Sequence, residues 1–208
     1  IGQYEKRKGV LNYLIRMDTF LIAIHYLNAA LLGIPYMAVG RNLAYTKSLF
    51  DQTKGFQKHL KVKWGDDDLL INQAANKKNT TLCASPESQT LSIPKTDLSS
   101  WIHQKRRHQS TSFNYTFGNK LIITLRPLRI ILYYSAIILG WIFGLPFIFL
   151  ILTWLGLYFL HVAMVIALKS RIGSIEFPIL FPWVELGLFG INTLIYLSIW
   201  IKKPTNWN

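Results

Sequence analysis

Asp66, Asp67 and Asp68 stand in a row, after Gly65 and before the apolar run Leu69-Leu70-Ile71. An aspartate at a helix start caps free backbone N–H groups and is favoured by the helix dipole. One aspartate is enough for that. Three adjacent carboxylates repel one another and raise the pKa of some members. Such a cluster suits a general base or a cation site as well as a cap. About forty residues later, Gln104-Lys105-Arg106-Arg107-His108 puts three cations side by side. Planar guanidinium groups bind a diphosphate through paired hydrogen bonds. A polybasic segment next to a membrane also binds anionic lipid. Both alternatives remain open for both clusters at the level of residue types.

The elements that position these groups can be read from pattern. The acidic triplet opens a helix. Asp97 or Ser99 caps a second helix running through Trp101 and Arg107, and Trp101 reads as an interfacial anchor or a sugar platform. Residues 10–32 are helix-like but contain Arg16, Asp18, His25 and Asn28. They read either as an amphipathic helix on the membrane surface or as a core helix. Residues 33–45 are punctuated by glycine and read as loop, strand and turn, and residues 80–90 as a short strand and turn.

From residue 128 to 201 the chain is almost continuously apolar, whereas residues 1–118 are mixed and charged. Spans are predicted over 128–144, 147–168 and 181–201, the first two forming a hairpin around the breaker Gly144-Leu145-Pro146. Arg126, Arg129, Lys169 and Arg171 fall on one side of that hairpin, the latter two in a polar loop with Glu176. The positive-inside rule puts that side and the basic half in the cytoplasm. Lys202 and Lys203 would then emerge on the opposite side. Glu185 reads as an interfacial residue, and His161 as a helix-packing one.

The net charge is +13, with 16 Lys+Arg against 8 Asp+Glu over residues 1–118. This suits a phosphate-bearing substrate or anionic membrane lipid. The apolar spans argue against nucleic acid as the partner. The single cysteine, Cys83, excludes an internal disulfide and a thiolate metal cluster. The opening residues carry no signal-like segment and read as part of a longer chain.

In order, these pieces resemble the back half of membrane-bound family 2 glycosyltransferases of the cellulose synthase and poly-N-acetylglucosamine synthase type. Gly65-Asp66-Asp67-Asp68-Leu69 matches that family's Glu-Asp-x-Asp-Leu motif with Gly in place of Glu. This register makes Asp66 the catalytic base, or Asp67 if it slips by one; Asp68 completes the cluster. Gln104-Lys105-Arg106-Arg107-His108 matches Gln-x-x-Arg-Trp with His in place of Trp. Residues 39–56 are similar to the Gly-x-Asn-x-Ala-Tyr stretch upstream of the base.

The resemblance implies an α/β fold plus membrane α-helices, that is, an incomplete GT-A domain over 1–118 followed by about three transmembrane helices over 119–208. It implies inverting transfer from a nucleotide-sugar donor to a glycan or lipid-linked acceptor. The place would be the cytoplasmic face of the plasma (inner) membrane, in a multi-pass protein. Gln104, Arg106, Arg107 and His108 would bind the donor diphosphate, with Gly40, Asn42, Tyr45 and Trp101 on the acceptor side. A divalent cation, Mg or Mn, would be held mainly by a front half carrying an Asp-x-Asp motif. This chain lacks that motif, so it would be inactive alone and holds no metal site of its own. The alternative is a non-catalytic membrane protein whose basic face binds anionic lipid or a partner subunit.

Overall fold

The computed structural model describes residues 1–172 and 176–204, without the side chains of residues 169–171. The strand content is one pair of three-residue parallel strands, β1 (Gly2–Tyr4) and β2 (Thr90–Ser92), in register Gly2↔Thr90. The rest of the regular structure is helical. The expected α/β character is therefore carried, among the described residues, by this pair alone.

β1 leads into α1 (Val10–Leu31), which forms the centre of the packed part. Ile15, Met17, Phe20, Leu21 and Ala23 are all nearly inaccessible, so α1 is apolar on more than one face. A helix of that kind belongs in a core. The core reading of residues 10–32 thus describes α1 better than a helix with one face on lipid. α1 is long and apolar enough to cross a membrane, yet more than half of its apolar window is covered by protein.

Two helices follow in the loop-rich middle. Thr46 caps α2 (Lys47–Gln52) by accepting from the Leu49 amide at 3.2 Å. Gly65, in the left-handed conformation at φ 79°, leads into α3 (Asp66–Ala74). α4 (Leu98–Thr111) is capped by Asp97, which accepts from Ser100 N at 2.8 Å. Trp101 is buried in the core rather than set at an interface, with the Lys105 ammonium 5.3 Å from its ring centre.

The membrane half contains α5 (Phe117–Ile142), α6 (Phe147–Ile172) and α7 (Phe181–Ile201). Gly144, at φ 75°, makes the turn between α5 and α6. Both of those helices expose long apolar surface, as a hairpin in lipid does. α6 runs to Ile172, so Lys169 and Arg171 fall on its last turns and not in a loop; their side chains lie outside the described residues. Among the described residues, four helices are long and apolar enough to cross a membrane: Val10–Leu31, Phe117–Ile142, Phe147–Leu168 and Pro178–Ile201.

α7 packs along α1, α4 and α6. At its far end Arg106 of α4 donates to Ser198 Oγ at 2.6 Å, and to the carbonyls of Ser198 and Lys202. The Ser198 carbonyl also accepts from the Lys202 amide, and the Lys202 carbonyl lies just past the helix end, where a cation is well placed. The end of α7 therefore lies beside α4, on the side of the molecule where the α5–α6 hairpin begins. Three successive spans would put Lys202 and Lys203 on the opposite side, against the positive-inside rule; the Lys202 carbonyl instead accepts from Arg106 of α4.

One buried ion pair ties these helices together. Lys105 of α4 donates to Asp18 of α1, both almost inaccessible to solvent. Asn192 of α7 donates to the other Asp18 oxygen at 3.2 Å, and Gln109 of α4 donates to Asn192 at 2.7 Å. Breaking a buried pair strands a charge and costs about 3–5 kcal/mol, whereas replacing both partners by apolar residues is often neutral. Lys105→Ala is expected to lower the Tm in detergent sharply. The pair Asp18→Leu with Lys105→Met should recover most of that loss. In sealed vesicles, and on a Cys83→Ser background, Lys203→Cys and Lys95→Cys should react with a membrane-impermeant maleimide from the same face. Phe143→Cys, at the hairpin tip, should react from the other.

Candidate functional site

α4 has two working faces. Lys105, Arg106 and Gln109 point at α1 and α7 and are occupied there. Gln104, His108, Ser110 and Thr111 look the other way, toward β1 and the start of α3. Trp64 Nε1 donates to Ser110 Oγ at 2.9 Å. A Cβ added to Gly65 would lie 2.2 Å from Thr111 Cγ2, so the turn before the acidic triplet sits directly on α4. Only a glycine permits both that approach and the positive φ. The two motifs singled out in the sequence thereby meet.

Within the triplet the three carboxylates have different surroundings. Asp66 is exposed, Asp67 half-buried and Asp68 buried. Asp67 Oδ2 accepts from the Gly40 amide at 2.6 Å, and a Cβ at Gly40 would come within 2.8 Å of that oxygen. The Gly40 stretch thus closes over Asp67. His108 is an exposed residue with protein packed closely about it. That crowding holds its pKa below the ordinary imidazole value. Lys105, Arg107 and Arg41 push the same way, and Asp67 opposes them. Asp67 is therefore the carboxylate that acts on His108 alongside these cations.

Asp68 lies beneath. Burial pushes its pKa up to about 7, and the neighbouring Asp67 charge adds to the rise. Tyr115 donates to it, and Oδ1 has no partner among the described residues. The pKa of Tyr115 is in turn raised, by burial and by the Asp68 charge. Asn72, one turn further along α3, donates to the Tyr36 carbonyl and accepts from Asn119 of α5 at 2.6 Å. The triplet's helix is thus pinned to the base of the hairpin.

The remaining residues expected at a site are divided. Gln104 Nε2 donates to the Tyr4 hydroxyl at 3.0 Å, on the side facing β1. Arg107 lies near His108, whose protonation it opposes. Asn42 Nδ2 donates to the Ser88 carbonyl at 2.6 Å and so staples two loops. Tyr45 is exposed and stacks on Phe50 at 5.6 Å, apart from the cleft contacts above. Arg106 is spent on the end of α7, and Trp101 is core.

Sequence reading missed three residues that shape the site. Arg41 lies over the Tyr4 ring at 4.3 Å and donates to the Gly2 carbonyl at 3.1 Å while acting on His108. Tyr115 donates to Asp68, and Tyr36 packs against Tyr115 at 6.4 Å between ring centres. Arg41 sits between two residues the motif did single out, which was the available signal. The tyrosines gave none, because their partner is distant in sequence.

Because Asp68 is neutral when folded at a pH where the unfolded chain has ionised it, the folded state binds the extra proton. Its contribution is full below pH 4 and is lost as pH rises through about 7. Asp68→Asn cannot ionise. Its Tm relative to the unsubstituted chain should therefore increase between pH 5 and pH 8, as read by thermal unfolding at both. No protein-family model, curated protein or solved structure matches the chain.

Proposed function

We propose that this chain is the acceptor-side and clamp-bearing part of an inverting, membrane-associated glycosyltransferase, with Asp67 as the general base. One observation carries this reading: the start of α3 docks on the Arg107–His108 face of α4, through Gly65 on Thr111 and Trp64 on Ser110. This contact supports bringing two sequence-distant clusters of opposite charge close together. A base and a diphosphate clamp need that arrangement, while a helix cap does not.

Asp67 is favoured over Asp66 because Asp66 faces solvent, whereas Asp67 is fixed by Gly40 and sits among the cations. One Asp67 oxygen is held by the Gly40 amide; in this reading the other takes the proton of the incoming group. In the proposed step Asp67 removes the proton from an acceptor hydroxyl as that oxygen bonds to the anomeric carbon. The bond from that carbon to the nucleoside diphosphate breaks, and the configuration inverts. The charge leaving with the diphosphate is met by Arg107, with Arg41 and His108 nearby. A base positioned in this way contributes ~10²–10⁴-fold.

Among the described residues no three His, Cys, Asp or Glu side chains gather as a metal site. No step here runs through a divalent ion, which this reading assigns mainly to a nucleotide-binding portion.

The rival is a non-catalytic membrane protein with a basic lipid- or subunit-binding face. It draws support from Arg106, which caps α7 rather than facing the cleft. Transfer from a radiolabelled nucleotide sugar separates the two, measured in the protein that joins this chain to a nucleotide-binding portion. Asp67→Asn should lower turnover by ~10²–10⁴-fold, and Asp66→Asn by less than about tenfold. Arg107→Ala should cut kcat/KM, while Arg106→Ala should act on Tm first. Transfer undiminished in Asp67→Asn, or lost in Asp66→Asn alone, defeats this assignment of the base. Absence of transfer in the joined protein returns the chain to the rival.

A further inference from the structure

A second polar cluster lies between α5, α6 and α7, away from the acidic triplet. Glu185 of α7 is not the interfacial residue its position suggested: it is 7% exposed. Arg129 of α5 donates to it at 2.5 Å, and Arg126 approaches it at 3.7 Å. Arg129 also donates to His161 Nε2 of α6 at 2.6 Å. Arginine has no acceptor atom, so that ring nitrogen must be the unprotonated one and the imidazole neutral. Two guanidinium groups therefore share one carboxylate, which leaves an excess positive charge among the described residues of the cluster. Asp18 also acts on Arg126, but it is paired with Lys105.

A pocket of about 100 Å³ opens beside this cluster, several times the ~10–15 Å³ that admits one water. Tyr133, Tyr134, Trp154 and Tyr158 form its aromatic walls. The Tyr133 hydroxyl is buried without a hydrogen-bond partner among the described residues. The polarity of the pocket is graded. Arg129, Glu185 and His161 lie toward the open end of the hairpin. Tyr133, Tyr158 and Trp154 lie one to two turns nearer its tip. From Arg129 to the end of α5 is about 20 Å at ~1.5 Å per residue. The surrounding faces of α5 and α6 are exposed and apolar, including Leu128, Ile131 and Leu132. A ligand entering sideways thus comes from the bilayer, with its charged end at the arginines and its less polar part toward the tip. A membrane lipid has that shape and orientation, and basic pockets between membrane helices accept anionic headgroups.

We propose that this pocket binds the phosphate of an anionic phospholipid, on Arg129 with the Tyr133 hydroxyl as a second donor. The site is separate from the glycosyl-transfer reading and stands or falls without it. The test uses the protein stripped of lipid in a mild detergent, with Tm followed during titration. Phosphatidylglycerol should raise the Tm saturably. Phosphatidylcholine, with the same phosphate but no net charge, should need at least about tenfold more lipid, and inorganic phosphate should have no effect. Arg129→Gln should weaken the phosphatidylglycerol response at least about tenfold. Tyr133→Phe deletes one hydroxyl, leaves the ion pairs in place and should weaken the response about two- to fivefold. It therefore decides the matter if Arg129→Gln does not fold. Equal potency of the two lipids overturns the proposal. So does protection by inorganic phosphate equal to that by lipid, or an unchanged response in Tyr133→Phe together with any folded Arg129→Gln.

Discussion

The ion pair between Lys105 and Asp18 is the contact on which the arrangement of the helices depends. Both groups are withdrawn from water, so each needs the other at close range, and their helices cannot separate without stranding a charge. Asn192 and Gln109 extend the contact to a third helix. Apolar packing alone would let α1, α4 and α7 slide on one another. A chain of directional polar contacts fixes their register, which is the best-attested use of buried polarity.

With α4 held by one face, its other face becomes a fixed platform. Gly65 and Trp64 set the start of α3 on that platform, and the Gly40 amide closes over Asp67 from the opposite direction. The order of events is physical rather than sequential. The latch orients α4, α4 receives α3, and the burial of Leu69 and Leu70 carries Asp68 inward with them. The raised pKa of Asp68 follows from that inward rotation. In a helix the three successive positions point about 100° apart, so the triplet divides into one outward, one intermediate and one buried carboxylate. Repulsion within the triplet is eased because its buried member holds a proton near neutral pH.

Much of this was legible in the sequence, and the illegible part has a common cause. The hairpin around Gly144, the helix opened by the triplet and the cap at Asp97 are local features, and local pattern gave them. The convergence of the triplet with the basic motif was available only through the family resemblance. Arg106, Trp101 and Glu185 were misread because their partners lie 92 residues away in the first case, in the core in the second, and about 56 in the third. A charge or an aromatic ring beside an apolar run looks interfacial when only its neighbours in sequence are visible. Its real environment depends on which helices pack, and composition does not encode that.

α7 is long and apolar enough to cross a membrane, as its sequence predicts. It sets part of its apolar surface, including Phe181, Leu188 and Ile199, against protein. It also carries Glu185 and Asn192 at positions where they meet Arg129 and Asp18. Both ends of α7 are engaged by arginines, Glu185 by Arg126 and Arg129 near its start and the last carbonyls by Arg106. Polar groups on an otherwise apolar helix thus serve to seat it on the platform that also carries α4. The acidic cleft and the arginine-lined pocket are consequently joined through one rigid element. A change in how α7 sits would reach α4 through Arg106 and Gln109, and the hairpin through Glu185.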